Sequence, residues 1–264
     1  MLLDRTSPIP SAWTTGRELG RGSLAVVYAA TDGERHGALK LSPFPRSCTP
    51  VEAERAWPAM SARLDAVASL GHPALIHLWD WGLNADDGQI WVAMERLWAT
   101  SLPTLAPTLR PAQWLAIART LGDAVAHAHT AQVWHGDIKP SNILIAPNAT
   151  PTLIDFALTG PDPAPGSPRW MAPECLLGGP CSPASDLYAL GQCLAEMTTG
   201  RPAFALQGSG PSRLLNLQEL KSQGGPMEVD PRAPRAMQQA IANATAQEPA
   251  DRPTALEFAG MLAT

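Results

Sequence analysis

The hydrophobic period changes once along this chain, near residue 100, and that change limits the folds open to it. Residues 13 to about 95 hold short β-like runs, AVVYAA (25–30), GALKL (37–41), ALIHLWDWG (74–82) and IWVAME (90–95), with helical material between 52 and 70. Beyond TSLPTLAPTLRP the texture is helical. AQWLAIARTLGDAVAHAH places Trp114, Ile117, Leu121, Val125 and Ala128 on one face, and SPASDLYALGQCLAEMTTG places Leu187, Leu190, Leu194 and Met197 at helical spacing. The second helix should start at Ser182-Pro183, an N-cap and first-turn pair, and stop at Gly200. The expected class is α+β, a small β-rich lobe with one main helix followed by a larger α-helical lobe. PDPAPGSP (161–168) reads as loop.

Composition excludes some partners. A net charge of -5 over 264 residues supplies no basic field for nucleic acid or an anionic membrane. The start, MLLDRTSPIPSAW, lacks the basic region and long apolar run of a signal peptide, and no window of about 18 uninterrupted apolar residues follows. The expectation is a soluble, cytoplasmic chain with no membrane insertion. Cys48, Cys175, Cys181 and Cys193 show no C-x-x-C spacing and read as ordinary thiols rather than a zinc site or disulfide framework.

Chemistry-bearing residues begin at LGRGSLAVVYAA. A strand, a glycine-rich turn and a returning strand let backbone N–H groups approach phosphate oxygens, because Gly20 and Gly22 carry no side chain. Taken alone, the same residues suit an ordinary hairpin turn. A strand rather than a helix follows, which argues against a dinucleotide-binding fingerprint. Lys40 ends the strand-like GALK at a distance downstream that suits a phosphate-reaching cation. The chain has only three lysines, Lys40, Lys139 and Lys221, and Lys139 lies between an aspartate and an asparagine in VWHGDIKPSNILI.

These pieces resemble the protein kinase superfamily, particularly its bacterial eukaryotic-like Ser/Thr branch, from about Leu19 to Leu262. HGDIKPSNILI resembles the catalytic loop H-R-D-x-K-x-x-N, LIDFAL the D-F-G strand and turn, and GSPRWMAPE the segment ending in A-P-E. SDLYALG resembles the start of the family's D-x-W-x-x-G helix, and EPADRP its closing arginine motif. The resemblance implies a bilobal fold: an extension at 1–12, a small lobe at 13–95, a hinge at 96–100 and a large lobe at 101–264. It implies ATP and Mg2+ as cofactors and a protein Ser/Thr hydroxyl as acceptor. A regulatory protein partner is left open. Tyrosine kinases usually lack the lysine two places after the aspartate, which disfavours tyrosine as acceptor.

By that resemblance Asp137 would orient or accept the proton of the attacking hydroxyl, Lys139 would neutralise charge on the travelling phosphoryl group, and Asn142 with Asp155 would hold magnesium through oxygen. Met94 would be the gatekeeper, Glu95 and Leu97 would meet the adenine edge through their backbone, and Val27, Ala38 and Leu144 would sandwich the ring. His135 would be a packed structural histidine, and Phe156 would be structural as well. Asp186 would accept backbone N–H groups of the catalytic loop, and Glu174 and Arg252 would form a buried ion pair.

Four positions depart from the family pattern. Gly136 replaces the arginine that answers an activation-loop phosphate, so weak dependence on such phosphorylation is expected, with Thr159 and Ser167 the only hydroxyls between Asp155 and Glu174. Ala157 replaces the glycine of D-F-G and should stiffen the turn, with metal binding retained. Ala25 stands at the third glycine. Arg63, nine residues before His72, stands where a glutamate usually pairs the strand lysine. Glu54 is the expected substitute and Glu52 the second, although Pro58 should break or kink their helix. If neither reaches Lys40, slow transfer or pure binding follows. The alternatives are therefore a pseudokinase that binds nucleotide or a partner, and a small-molecule phosphotransferase of the aminoglycoside or choline kinase type.

Overall fold

The computed structural model describes residues 13–22, 25–44, 49–84, 86, 88–157, 168–206 and 210–263. Thr159, Ser167, Cys48 and the extension at 1–12 lie outside the described residues. The chain forms two compact units, one of residues 1–71 and 76–97 and the other of residues 72–75 and 98–264.

The first unit is an antiparallel sheet with one helix. Its strands are β1 (Thr14–Arg21), β2 (Val26–Thr31), β3 (His36–Pro43), β4 (Leu78–Asn84) and β5 (Gln89–Glu95), in the order β1-β2-β3-β5-β4. Register decides which side chains share a face. Lys40 is opposite Val27 and Val92, and Ala38 is opposite Ala29 and Met94, so these six occupy one side of the sheet. The other side carries Ala30, Leu39, Leu41 and Ala93, buried with Trp13 and packed by Tyr28, Trp79 and Trp91.

Helix α1 (Pro50–Ala68) runs unbroken through Pro58, where the sequence suggests a break. Proline removes the donor for the Glu54 carbonyl, and the exposure of Glu54 lets water replace that donor at little cost. The helix starts on a capping box: Glu52 Oε2 accepts from the Thr49 amide at 2.7 Å, and Thr49 Oγ1 accepts from the Glu52 amide.

The second unit is mainly helical. A three-stranded sheet joins β6 (Thr100–Ser101), β7 (Ile143–Ile145) and β8 (Pro151–Leu153). The helices are α2 (Leu102–Leu105), α3 (Pro111–Thr130), α4 (Pro173–Leu176), α5 (Pro183–Thr199), α6 (Gly210–Ser222), α7 (Arg235–Ala244) and α8 (Ala255–Ala263). All five residues of the apolar face read for α3, and all four of that read for α5, are buried. Helix α5 is buried on nearly every side, as a central helix must be. Ser182 and Ser185 cap each other's amides at its start, and Gly200, left-handed at φ 66°, ends it. Among the described residues, no helix is long and apolar enough to cross a membrane. The architecture is α+β, with a β-sheet N-terminal part and a helical C-terminal part.

Candidate active site

The loop after α3 is held from below by one buried carboxylate. Asp186, in the first turn of α5, accepts from the His135 amide at 2.6 Å through Oδ2 and from the Gly136 amide at 2.8 Å through Oδ1. His129 Nε2 lies 3.0 Å from Oδ2, and since a carboxylate only accepts, the ring nitrogen donates. The positive end of the α5 dipole favours the charge there.

His135 is fully engaged. Its Nε2 donates to the Ile154 carbonyl at 2.9 Å, its Nδ1 accepts from the Asp137 amide at 3.2 Å, and its ring lies 4.4 Å from that of Phe156. Burial pushes its pKa down against the pull of Asp186 and Asp137, so the ring is neutral with both nitrogens in use. Neither nitrogen is left for base chemistry.

The side chains expected to react lie together above this support. Lys139 Nζ is 2.5 Å from Asp137 Oδ2, and both side chains are about one-fifth exposed. Buried Asn142 donates from Nδ2 to the Asp137 carbonyl at 2.9 Å and to Oδ2 at 3.3 Å, which leaves Oδ1 as its acceptor atom. Asp155 follows β8 with a left-handed backbone at φ 62°. Two bonds fix that turn: the Ile154 amide donates to the Asn142 carbonyl at 2.9 Å and the Ala157 amide to the His135 carbonyl at 2.8 Å.

Ala157 behaves differently from expectation. The left-handed residue of the turn is Asp155, and Ala157 is outside the positive-φ region, so its Cβ meets no conformational penalty there. The position that requires glycine is Gly136, at φ 77°, where an added Cβ would come within 3.0 Å of Ala157 Cβ. The two departures from the family pattern are therefore neighbours, and a side chain at 136 would meet Ala157.

In the first unit, Gly20 pairs with Val27, and the Gly22 amide donates to the Ala25 carbonyl at 2.8 Å. A Cβ at Gly20 would meet nothing within 4 Å, and at Gly22 only the Ala25 carbonyl at 3.8 Å. Packing among the described residues therefore does not require glycine at either position. Lys40, Val27, Ala38 and Met94 share the sheet face described above. Glu95 is tied to His77 at both ends, its amide donating at 3.0 Å and its Oε1 accepting at 2.9 Å. Leu97 and Leu144 are half-buried.

The expected carboxylate partner of Lys40 is corrected. Glu54 is exposed, and among the described residues it has no hydrogen bond or ion pair, while Glu52 is committed to Thr49. The apolar stripe Ala53, Met60, Leu64 and Val67 sets the rotation of α1, and that rotation turns Glu54 to solvent.

Glu174 and Arg252 form a bidentate pair at 2.7 and 2.9 Å. Arg252 also donates to the carbonyls of Ala184, Ala246 and Gln247, so its buried charge is well partnered.

Asn142 and Asp155 offer oxygen donors, which suit magnesium, and two protein ligands suffice for an ion that also binds substrate phosphates and water. Among the described residues there is no cluster of three or more His, Cys, Asp or Glu that would make a self-contained metal cage. The donor set fits a metal that arrives with a nucleotide.

An acid, an ammonium and an amide thus meet on one loop of an α+β chain. A family model described as Protein kinase domain matches residues 13–261, and the chain belongs to that family. It is 33% identical over 251 residues to serine/threonine-protein kinase PknD of Mycobacterium tuberculosis, covering 89% of this chain and 37% of that relative. It is 30% identical over 250 residues to serine/threonine-protein kinase PrkC of Bacillus subtilis, with coverage of 89% and 37%. Against serine/threonine-protein kinase PknK of Mycobacterium bovis it is 31% identical over 249 residues, covering 89% and 22%. The chain thus spans well under half the length of these curated relatives.

Sequence reading did not find His129 as a ligand of Asp186. A histidine six residues before His135 carries no signal of its own until α5 is placed beside α3.

Proposed function

We propose that the chain is an ATP-dependent serine/threonine protein kinase domain, transferring the γ-phosphoryl group of ATP to a protein hydroxyl. The observation that carries this reading is Asp137 Oδ2 held between Lys139 Nζ, at 2.5 Å, and Asn142 Nδ2, at 3.3 Å.

Magnesium bound with ATP would neutralise phosphate charge, and Asn142 and Asp155 would hold it. The residues of the chain do the rest. Asp137 orients the acceptor hydroxyl and takes its proton, while Lys139 moves from Asp137 to the transferring phosphoryl group as charge develops there. Lys40 binds the nucleotide phosphates, and the glycine turn at 20–22 leaves room for them beside the backbone. Val27, Ala38, Leu144 and Met94 take the adenine, with the backbone of Glu95 and Leu97 at its edge. The matched relatives are named protein kinases, which favours a protein acceptor over a small molecule. ATP consumption suits a cytoplasmic setting.

Control by activation-loop phosphate should be weak, because Gly136 offers no cation and the contact with Ala157 leaves little room for a side chain. Phosphatase treatment or Thr159→Ala should change activity less than about twofold; a large drop would contradict this.

The test is transfer of labelled phosphate from ATP-Mg2+ to a generic basic protein, beside Asp137→Asn and Lys40→Met. Asp137→Asn should lose about 10²–10⁴ in rate, the span of a positioned general base. Label that persists in both variants would overturn the assignment. A second reading, a nucleotide-binding pseudokinase, is favoured by the solvent-facing Glu54, and tight ATP binding without label would establish it.

A further inference from the structure

The run ECLLGGPCSP (174–183) turns back on itself after α4 and returns a second cysteine to the side of the first. Five residues separate the two, a spacing that carries no signal until the glycines fold. Gly178 is left-handed at φ 91°. A Cβ at Gly179 would fall 2.8 Å from the Glu174 carbonyl, which the Gly179 amide meets at 2.9 Å. The reversal leaves the Cys175 thiol hydrogen-bonded to Cys181, with its Sγ 3.7 Å from the Pro180 carbonyl. Cys181 Sγ lies 3.9 Å from the carbonyl of Gly136, the residue before Asp137. Both cysteines line one cavity of ≈ 20 Å³ with Gly136, Asp137 and Ile138, enough for a water-sized molecule.

The two thiols differ in ways that suit stepwise oxidation. Cys175 is buried, and its bond to Cys181 together with that burial pushes its pKa up, so it keeps its proton. Cys181 is half-buried and within reach of a small oxidant. The S–H donated by Cys175 and the N-terminal end of α5, whose cap Ser182 is the next residue, both suit negative charge on the Cys181 sulfur. Asp186 in the same turn is offset by its three donors. Cys193 is fully buried in α5 and burial pushes its thiol well up, so it serves as an inert reference.

We propose that Cys175 and Cys181 are an oxidisable dithiol beneath the Asp137 loop, closed to a disulfide by hydrogen peroxide and reopened by reducing thiols. The Cys181 thiolate attacks one peroxide oxygen, the O–O bond breaks, and the hydroxide that leaves takes up the proton Cys181 released. The Cys175 sulfur then attacks the sulfur of the resulting sulfenic acid, the S–O bond breaks, and the hydroxyl departs with the Cys175 proton as a second water. Each sulfur gives up one electron and the peroxide gains two. Closure draws Cys181 toward Cys175 and off the Gly136 carbonyl, which loosens the backbone beneath Asp137. The dithiol itself does not rest on the kinase reading; its effect on transfer does.

The test is linkage mapping on the full chain with Cys48→Ser, treated with hydrogen peroxide and then alkylated in denaturant. The intact mass should fall by two hydrogens, and cleavage after Leu177 should leave the Cys175 and Cys181 fragments joined until dithiothreitol is added. Cys193 should be alkylated throughout. Alkylation of both Cys175 and Cys181, or sulfinic acid on Cys181 without linkage, would overturn the proposal. Transfer by the closed chain should be slower by about tenfold or more, since a misplacement of about 1 Å near reacting groups costs up to about 100-fold. Dithiothreitol should restore it, and the double variant Cys175→Ser, Cys181→Ser should hold its rate in peroxide. Equal slowing of the double variant would overturn the link to transfer. A chain that transfers no phosphate in either state sinks the kinase reading alone, because the linkage map decides the dithiol without any transfer.

Discussion

The Asp137 loop and the Lys40 strand carry complementary parts of the proposed chemistry, and the chain supports them by different means. The loop is held by a dense set of bonds: Asp186 beneath two amides, His135 bonded through both ring nitrogens, and Asn142 bridging the carbonyl and carboxylate of Asp137. Lys40 is placed by strand register, opposite Val27 and Val92, and the nearby helix turns its carboxylates elsewhere. Acid-base geometry must be set to within a fraction of an ångström before the acceptor arrives, whereas a long flexible ammonium can find a phosphate once the nucleotide is bound.

The sharpest way to break this contrast is Asp186→Ala. It leaves the His135 and Gly136 amides buried without an acceptor, and should cost on the order of 3–5 kcal/mol by chemical denaturation. A loss under about 1 kcal/mol would mean the loop is held by its other contacts. Gly136→Ala comes next: a left-handed alanine costs about 1–2 kcal/mol, with crowding against Ala157 added. Ala157→Gly in the same background should recover the crowding part, so a double-mutant cycle should give a favourable coupling, and strict additivity would show that the two sites do not touch. The smallest effect belongs to the strand lysine's side. Glu54→Gln should leave transfer within about twofold and stability within about 0.5 kcal/mol, as for an exposed residue. A tenfold loss of transfer would show that Glu54 joins Lys40 when nucleotide is bound.

Legibility in the sequence followed the range of the interaction. Helices α3 and α5 and the cap and stop of α5 were readable because periodicity, Ser182-Pro183 and Gly200 act within a turn or two of themselves. The loop's acid, ammonium and amide were readable because HGDIKPSN keeps them within six positions. The partner of Lys40 was misread because it depends on the rotation of α1. That rotation is set by how Ala53, Met60, Leu64 and Val67 pack, which no spacing from Lys40 encodes. Ala157 was misjudged for a related reason: a turn's left-handed residue is chosen by the bonds on either side of it, here from Ile154 and Ala157, and they place it at Asp155.

The order of amino acids by itself determined the class of fold, the start and stop of α5 and the run that keeps Asp137, Lys139 and Asn142 on one loop, since each is written in local pattern. Tertiary structure alone decided that Gly136 rests on Ala157, that His129 reaches Asp186, and that Cys181 reaches the Gly136 carbonyl. Each of these joins residues that lie far apart along the backbone, and only packing, which minimises exposed apolar area and unpaired polar groups over the whole unit at once, brings them within a few ångströms.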